Sequence, residues 1–280
     1  MKGRRDYGKT MKKLSFRIIS IILCALMLLP VFAGCGEEKK PETTTAAADA
    51  TEPETTTEEA GPEPVTEIDL AGKKILWLGS SVTYGSANNG KSMVEYIAER
   101  NGCTCTKSAV SGTTLVNNDN NSYVGRLNSM INSKISKFKK CDYFIIQLST
   151  NDATQNKPLG KISDSKNKED FDLMTITGAM EYIIAAVKER WGCPVAFYTG
   201  TKYSSAPYQK MVDRLFELKE KWGIGVIDLW NDEEMNAVSK KDYAKYMSDS
   251  IHPNGTGYLE WWTPKFEEFL KNPENWKSEN

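Results

Sequence analysis

Short, continuous apolar runs separated by longer segments of helical spacing constrain this chain more than any other feature. Residues 74–79 (KILWLG), 142–148 (DYFIIQL), 194–199 (PVAFYT) and 225–229 (GVIDL) are apolar or β-branched with little alternation. That is the pattern of strands covered on both faces, as in a parallel sheet. Residues 103–110 offer a weaker fifth strand. Residues 92–100, 124–138, 174–191, 208–222 and 258–270 carry apolar residues three and four apart, the stripe of an amphipathic helix. Strand and helix in alternation predict an α/β fold: a three-layer α/β/α sandwich around a mostly parallel sheet of about five strands. Residues 68–280 suffice for one such domain, and no internal repeat divides it. In open sheets of this kind ligands gather at the carboxyl ends of the strands, so polar residues directly after strands are the first candidates for chemistry.

The first 67 residues follow a different logic. Lys2, Arg4, Arg5, Lys9, Lys12, Lys13 and Arg17 precede an apolar run over 18–32 that closes on Ala33, Gly34 and Cys35, the layout of a secretory signal. Ser20, Cys24 and Pro30 interrupt the run, which falls short of the roughly 20 residues of a comfortable membrane span. A removable signal over 1–34 is therefore favoured over a permanent helix. Phe32-Ala33-Gly34-Cys35 resembles a bacterial lipobox, with phenylalanine at the usual leucine position. That resemblance implies that Cys35 becomes the lipidated first residue and anchors the protein to the membrane, the alternative being an ordinary small-residue cleavage site. Residues 35–67 are almost wholly Glu, Lys, Pro, Thr, Ala and Gly, without an aromatic. They bury too little apolar surface to offset their ordering entropy and read as a tether spanning roughly 30 Å or more. With a formal net charge of −1 and no basic stretch interleaved with aromatics after the signal, nucleic acid is not an expected partner.

Four polar groups follow strands or stand near the end of the domain. Gly79-Ser80-Ser81-Val82-Thr83-Tyr84-Gly85 follows the first strand; a glycine there lets the backbone turn sharply and display a serine at the sheet edge. Ser111-Gly112 follows the second, and Ser149-Thr150-Asn151-Asp152 the third. Taken singly, these are ordinary turn sequences. Asp249-Ser250-Ile251-His252 holds the only histidine in the chain. Three residues of separation let the carboxylate reach the imidazole, hold one tautomer and stabilise the imidazolium that forms when His252 takes a serine proton.

These blocks resemble those of the SGNH (GDSL-like) hydrolases, in order along the chain. Gly79, Ser81, Thr83 and Gly85 match GDSxTxG, with Ser80 where aspartate is usual; Ser149-Thr150-Asn151-Asp152 matches GxND with serine for glycine; Asp249 and His252 match DxxH. The resemblance implies the flavodoxin-like fold of that family, Ser81 as nucleophile, His252 as base and Asp249 as its acid. It also implies an oxyanion hole made of the Ser81 N–H, the Gly112 N–H and the Asn151 side-chain amide. The G-x-S-x-G elbow of other serine hydrolases fits poorly, because Thr83 stands where its last glycine belongs.

Cys103, Cys105, Cys141 and Cys193 lack the paired C-x-x-C spacing of a zinc site, and no metal or cofactor is expected. A Cys141–Cys193 bridge is conceivable, because the family's sheet makes the strands that follow them neighbours. Residues 152–170, polar and lysine-rich, are expected to border the active site. Trp261 and Trp262 are candidates for sugar stacking, with core packing the stronger reading. The resulting expectation is an extracytoplasmic serine esterase that works through an acyl-enzyme and removes small acyl groups from carbohydrate. A lipid acylhydrolase or thioesterase, or a non-catalytic cell-surface binding module on the same fold, are the alternatives.

Overall fold

A computed structural model describes residues 66–277. The expected signal over 1–34, Cys35 and the tether as far as residue 65 lie outside the described residues. The expected strands form: β1 (Lys74–Gly79), β2 (Thr104–Ala109), β3 (Tyr143–Gln147), β4 (Val195–Tyr198) and β5 (Gly225–Ile227). They make one sheet in the order β2-β1-β3-β4-β5, with every neighbouring pair parallel.

Side chains alternate between two buried faces. Leu76, Leu78, Phe144, Ile146, Val195 and Phe197 join one core, with α3 (Tyr123–Ile131), α5 (Ile176–Trp191) and α6 (Ala206–Trp222) over them. Ile75, Trp77, Ile145, Ala196, Tyr198 and Ile227 join the other, under α2 (Met93–Asn101) and α9 (Thr263–Lys271), the short helices α7 (Glu233–Asn236) and α8 (Lys240–Tyr246) coming between β5 and α9 in the chain. Burial on both faces is why the strands read as continuous apolar runs. Because β1 is flanked by β2 and β3, successive connections leave it in opposite directions. The β1/β3 border is the switch point, where ligands bind in sheets of this order.

Several expectations are corrected. The helix expected over 124–138 ends at Ile131 and is followed by a 3₁₀ turn, Ser136–Phe138. The Ser133 hydroxyl accepts the Ile135 amide, a local bond that competes with helix, and Ile135 points outward at 57% exposure. The helix expected over 258–270 begins as a π-helical turn, Gly257–Trp262, before α9. Pro264 has no N–H for the carbonyl one turn back, while the Thr263 amide and hydroxyl both bond the Tyr258 carbonyl.

The polar stretch 152–170 mostly leaves the catalytic edge rather than bordering it. Its carbonyls at Gly160, Ser163 and Ser165 accept bonds from Arg214 and Lys221 of α6, and the Ser163 amide bonds Glu181 of α5. Glu181 is fully buried and pairs with Lys221, so this loop completes the bonding of a buried ion pair. Only its first residues reach the site, where Gln155 Nε2 lies 3.5 Å from the Gly112 carbonyl.

Trp262 is core, stacked 6.2 Å from Phe266, whereas the half-buried Trp261 stacks on Tyr246 at 5.2 Å. Cys103, Cys105, Cys141 and Cys193 are free thiols, so the conceivable Cys141–Cys193 bridge is not formed, and the Cys141 thiol donates to the Tyr143 carbonyl at 3.0 Å. Among the described residues no helix is long and apolar enough to cross a membrane.

Candidate active site

The β1 end shows why this serine block has its composition. Ser81 opens a one-turn helix, α1 (Ser81–Tyr84), directly after Gly79 and Ser80. A Cβ on Gly79 would lie 1.7 Å from Thr83 Oγ1 and 2.9 Å from Gln147 Oε1, so only glycine lets the helix fold back over the strand end. Gln147 is the last residue of β3 and is 2% exposed. Its Oε1 accepts the Ser80 amide at 2.8 Å, the Thr83 hydroxyl at 2.9 Å and the Thr83 amide at 3.3 Å. These bonds steady the serine loop although Ser80 replaces the family's aspartate. Gln147 was not singled out from sequence; a lone amide inside the apolar run DYFIIQL is the signal that marks it.

The histidine reaches Ser81 from the far end of the chain. Met247 and Pro253 form an isolated antiparallel bridge, the Ser248 amide bonds the His252 carbonyl at 2.8 Å, and the Asn254 amide bonds the Tyr246 carbonyl at 2.9 Å. This closed loop is held to α1 by the buried Tyr258 hydroxyl, which donates to the Val82 carbonyl at 2.7 Å. His252 Nε2 then lies 2.7 Å from Ser81 Oγ, and Nδ1 lies 2.8 Å from Asp249 Oδ2 and 3.0 Å from Oδ1. An ionised carboxylate only accepts, so Nδ1 carries the proton and Nε2 is left to accept from the Ser81 hydroxyl. Asp249 Oδ1 also accepts the Ile251 and His252 amides, each at 2.7 Å. Partial burial pushes this carboxyl up, but the two amides and the imidazole outweigh it and hold Asp249 below the usual carboxylate range.

The expected oxyanion donors Ser81, Gly112 and Asn151 each follow the end of a neighbouring parallel strand, β1, β2 and β3. The Ser81 amide is in the first turn of α1, where backbone N–H groups have no intrahelical acceptor, and it has no partner among the described residues. Gly112 adopts φ +80°, a left-handed conformation that glycine takes without strain, and its amide is likewise unpartnered among the described residues. Asn151 lies in the short helix α4 (Thr150–Thr154); Ser149, in place of the family's glycine, caps it by accepting the Asp152 amide. One hydrogen of the Asn151 amide goes to the Thr113 carbonyl at 2.9 Å, and the other remains for a ligand. Asp152 is buried beside it and accepts the Leu115 amide at 2.7 Å and the Val116 amide at 3.2 Å. Burial pushes its carboxyl up despite those bonds. Residues 112–116 are thus pinned to α4 from both Asn151 and Asp152.

The arrangement can activate a hydroxyl, shuttle one proton and hold a negative oxygen. Among the described residues no cluster of three or more His, Cys, Asp or Glu side chains is placed to hold a metal.

Comparison with known proteins points to one family and one fold. Residues 77–259, more than half of the chain and including all five site residues, match the model of the GDSL-like lipase/acylhydrolase family. A solved protein from Lactobacillus plantarum is 18% identical with a TM-score of 0.59, over 71% of this chain and 97% of that one. A GDSL-like lipase from Bacteroides ovatus is 19% identical with a TM-score of 0.51, over 71% and 98%. A lipolytic protein of the G-D-S-L family from Desulfitobacterium hafniense is 13% identical with a TM-score of 0.52, over 70% and 99%. At these identities the likeness is one of fold. No curated protein matches the chain.

Proposed function

The chain belongs to the GDSL-like lipase/acylhydrolase family, whose members cleave esters, and from that premise we propose that it is an extracytoplasmic serine esterase that removes small acyl groups from carbohydrate. The observation that carries the reading is the continuous relay from Ser81 through His252 to Asp249, at 2.7 and 2.8 Å. Ser81 Oγ attacks the ester carbonyl while its proton passes to His252 Nε2, and Asp249 stabilises the imidazolium. Negative charge on the carbonyl oxygen is taken by the Ser81 and Gly112 amides and the free hydrogen of Asn151. Collapse expels the alcohol, protonated by His252, and leaves an acyl-serine that water clears by the same steps.

A small acyl group on carbohydrate is supported by the surface address that residues 1–67 imply, where glycan esters are within reach. A fluorophosphonate probe is expected to label the protein, with the adduct mapping to Ser81, and acetylated oligosaccharides are expected to turn over faster than long-chain esters. An unlabelled Ser81 would instead favour a binding module on this fold. Preference for long acyl chains or thioesters would overturn the substrate class while leaving the mechanism.

The basic and apolar leader ending at Cys35 supports export and a lipid anchor, with the domain held off the membrane by residues 36–67. Mass spectrometry of the mature amino terminus is expected to find a lipidated Cys35. An unmodified terminus at another position would refute the anchor.

A further inference from the structure

Arg126 stands out as a buried cation without a carboxylate partner. It is 7% exposed, and no ion pair to it occurs among the described residues. Asp119, whose charge acts on it from a distance, spends its own Oδ1 on the Asn121 and Ser122 amides. A buried guanidinium is costly unless its donors are satisfied. Here the five acceptors are the backbone oxygens of Gly79, Ser108 and Asn121 and the hydroxyls of Ser108 and Thr113. Nη2 donates to the Gly79 carbonyl at 2.7 Å and to Thr113 Oγ1 at 3.1 Å; Nη1 donates to the Ser108 carbonyl and to Ser108 Oγ at 3.3 Å. Nε donates to the Asn121 carbonyl at 2.8 Å, and the guanidinium lies 5.0 Å from the centre of the Tyr123 ring.

These contacts coincide with the roots of the oxyanion site. Gly79 is two residues before Ser81, Thr113 directly follows Gly112, and the Thr113 carbonyl is the acceptor that orients Asn151. One planar fork therefore ties the ends of β1 and β2 to the loop on which the second and third donors depend. We propose that Arg126 is a positioning residue for the esterase reaction, fixing the three oxyanion donors relative to one another. Its donors are spent on backbone and hydroxyl groups next to those donors, so the site is held ready before negative charge develops in it.

The inference rests on Ser81 being the nucleophile, and its test separates the two. Kinetics on p-nitrophenyl acetate and inhibition by phenylboronic acid, which adds to serine as a tetrahedral anion, are compared for the parent, Arg126→Met and Arg126→Lys. Misplacing reacting groups by about 1 Å can cost about a hundredfold in rate, so folded Arg126→Met is expected to lose about that factor in kcat, with KM within about twofold. Boronate affinity should fall in parallel. Arg126→Lys, which keeps the charge and loses the fork, is expected to lie between the two. A folded Arg126→Met with kcat within about threefold of the parent, or with its loss confined to KM, overturns the proposal.

Should Arg126→Met not fold, Thr113→Val removes one acceptor of the fork and decides the matter. A roughly tenfold fall in kcat at unchanged KM supports the role, and a parent-like kcat overturns it. If Ser81→Ala retains the parent rate, the esterase reading falls and this one with it. If Ser81→Ala is inactive while the folded Arg126 and Thr113 variants keep kcat, only the role of Arg126 falls.

Discussion

Ser81→Ala is expected to lower kcat on a simple acetate ester about a million-fold, the scale seen when a serine hydrolase loses its nucleophile. The size follows from what remains and what is lost. Alanine keeps the Ser81 amide, and the Gly112 amide and the Asn151 side chain are untouched, so the residual rate should stand about 10³- to 10⁴-fold above that in water. The acyl-enzyme route disappears because, among the described residues, no other hydroxyl is hydrogen-bonded to His252. The fold should tolerate the change. Among the described residues Ser81 Oγ has His252 as its one hydrogen-bond partner, and alanine is at home in a helix, so stability should shift by less than about 1 kcal/mol. Steady-state kinetics with a thermal melt check this; a variant as fast as the parent would remove Ser81 from the mechanism.

Asp249→Asn is expected to cost about 10⁴-fold in kcat, and its cause is directional rather than electrostatic alone. Asp249 Oδ1 accepts the Ile251 and His252 amides as well as approaching Nδ1. Asparagine can serve those two amides only with its carbonyl oxygen, which turns its NH₂ toward Nδ1. The imidazole must then accept at Nδ1 and carry its proton on Nε2, where it cannot take the proton of Ser81. Substrate binding should change little, so the loss should appear in kcat with KM nearly constant.

Asp249 also sets a pH expectation. Its folded-state carboxyl titrates below the usual value because the two amides and the imidazole outweigh partial burial. A depressed carboxyl contributes fully above the unfolded value of about 3.9, and that contribution is lost only as pH falls through the lower folded value. A carboxyl-carbon titration by NMR should place its midpoint below about 3.9, and a midpoint above it would contradict the bonding described.

Much of the site was legible because catalytic chemistry is written locally. Asp249 and His252 lie three residues apart, and their pairing needs only a closed loop. Ser81, Gly112 and Asn151 each follow a strand, and parallel strands bring their carboxyl ends to one edge whatever the loops between them do. The residues missed act through the chain's return on itself. Gln147 matters because β3 is laid beside β1, and Arg126 because α3 crosses over the ends of β1 and β2. In sequence, Arg126 is one more polar residue in a helix, although Tyr123, Leu127 and Met130 at three- and four-residue spacing put it on the buried stripe. The course of the loop after Asn156 was missed for a similar reason. Its polarity suggested solvent and substrate, but its backbone is needed by the cations of α6 beside buried Glu181.

The amino-acid sequence by itself determined the α/β alternation, the five strands and the catalytic groups at their ends, since each depends on hydrophobic period or on neighbours a few residues apart. Only the tertiary structure decided how those groups are held. The three bonds on Gln147 and the Tyr258 tie to Val82 join residues 64 to 176 positions apart, and the Arg126 fork reaches Ser108 and Gly79, 18 and 47 positions away, across crossovers whose partners no local pattern specifies. Buried polar groups must find partners wherever packing puts them, and packing is a property of the whole chain.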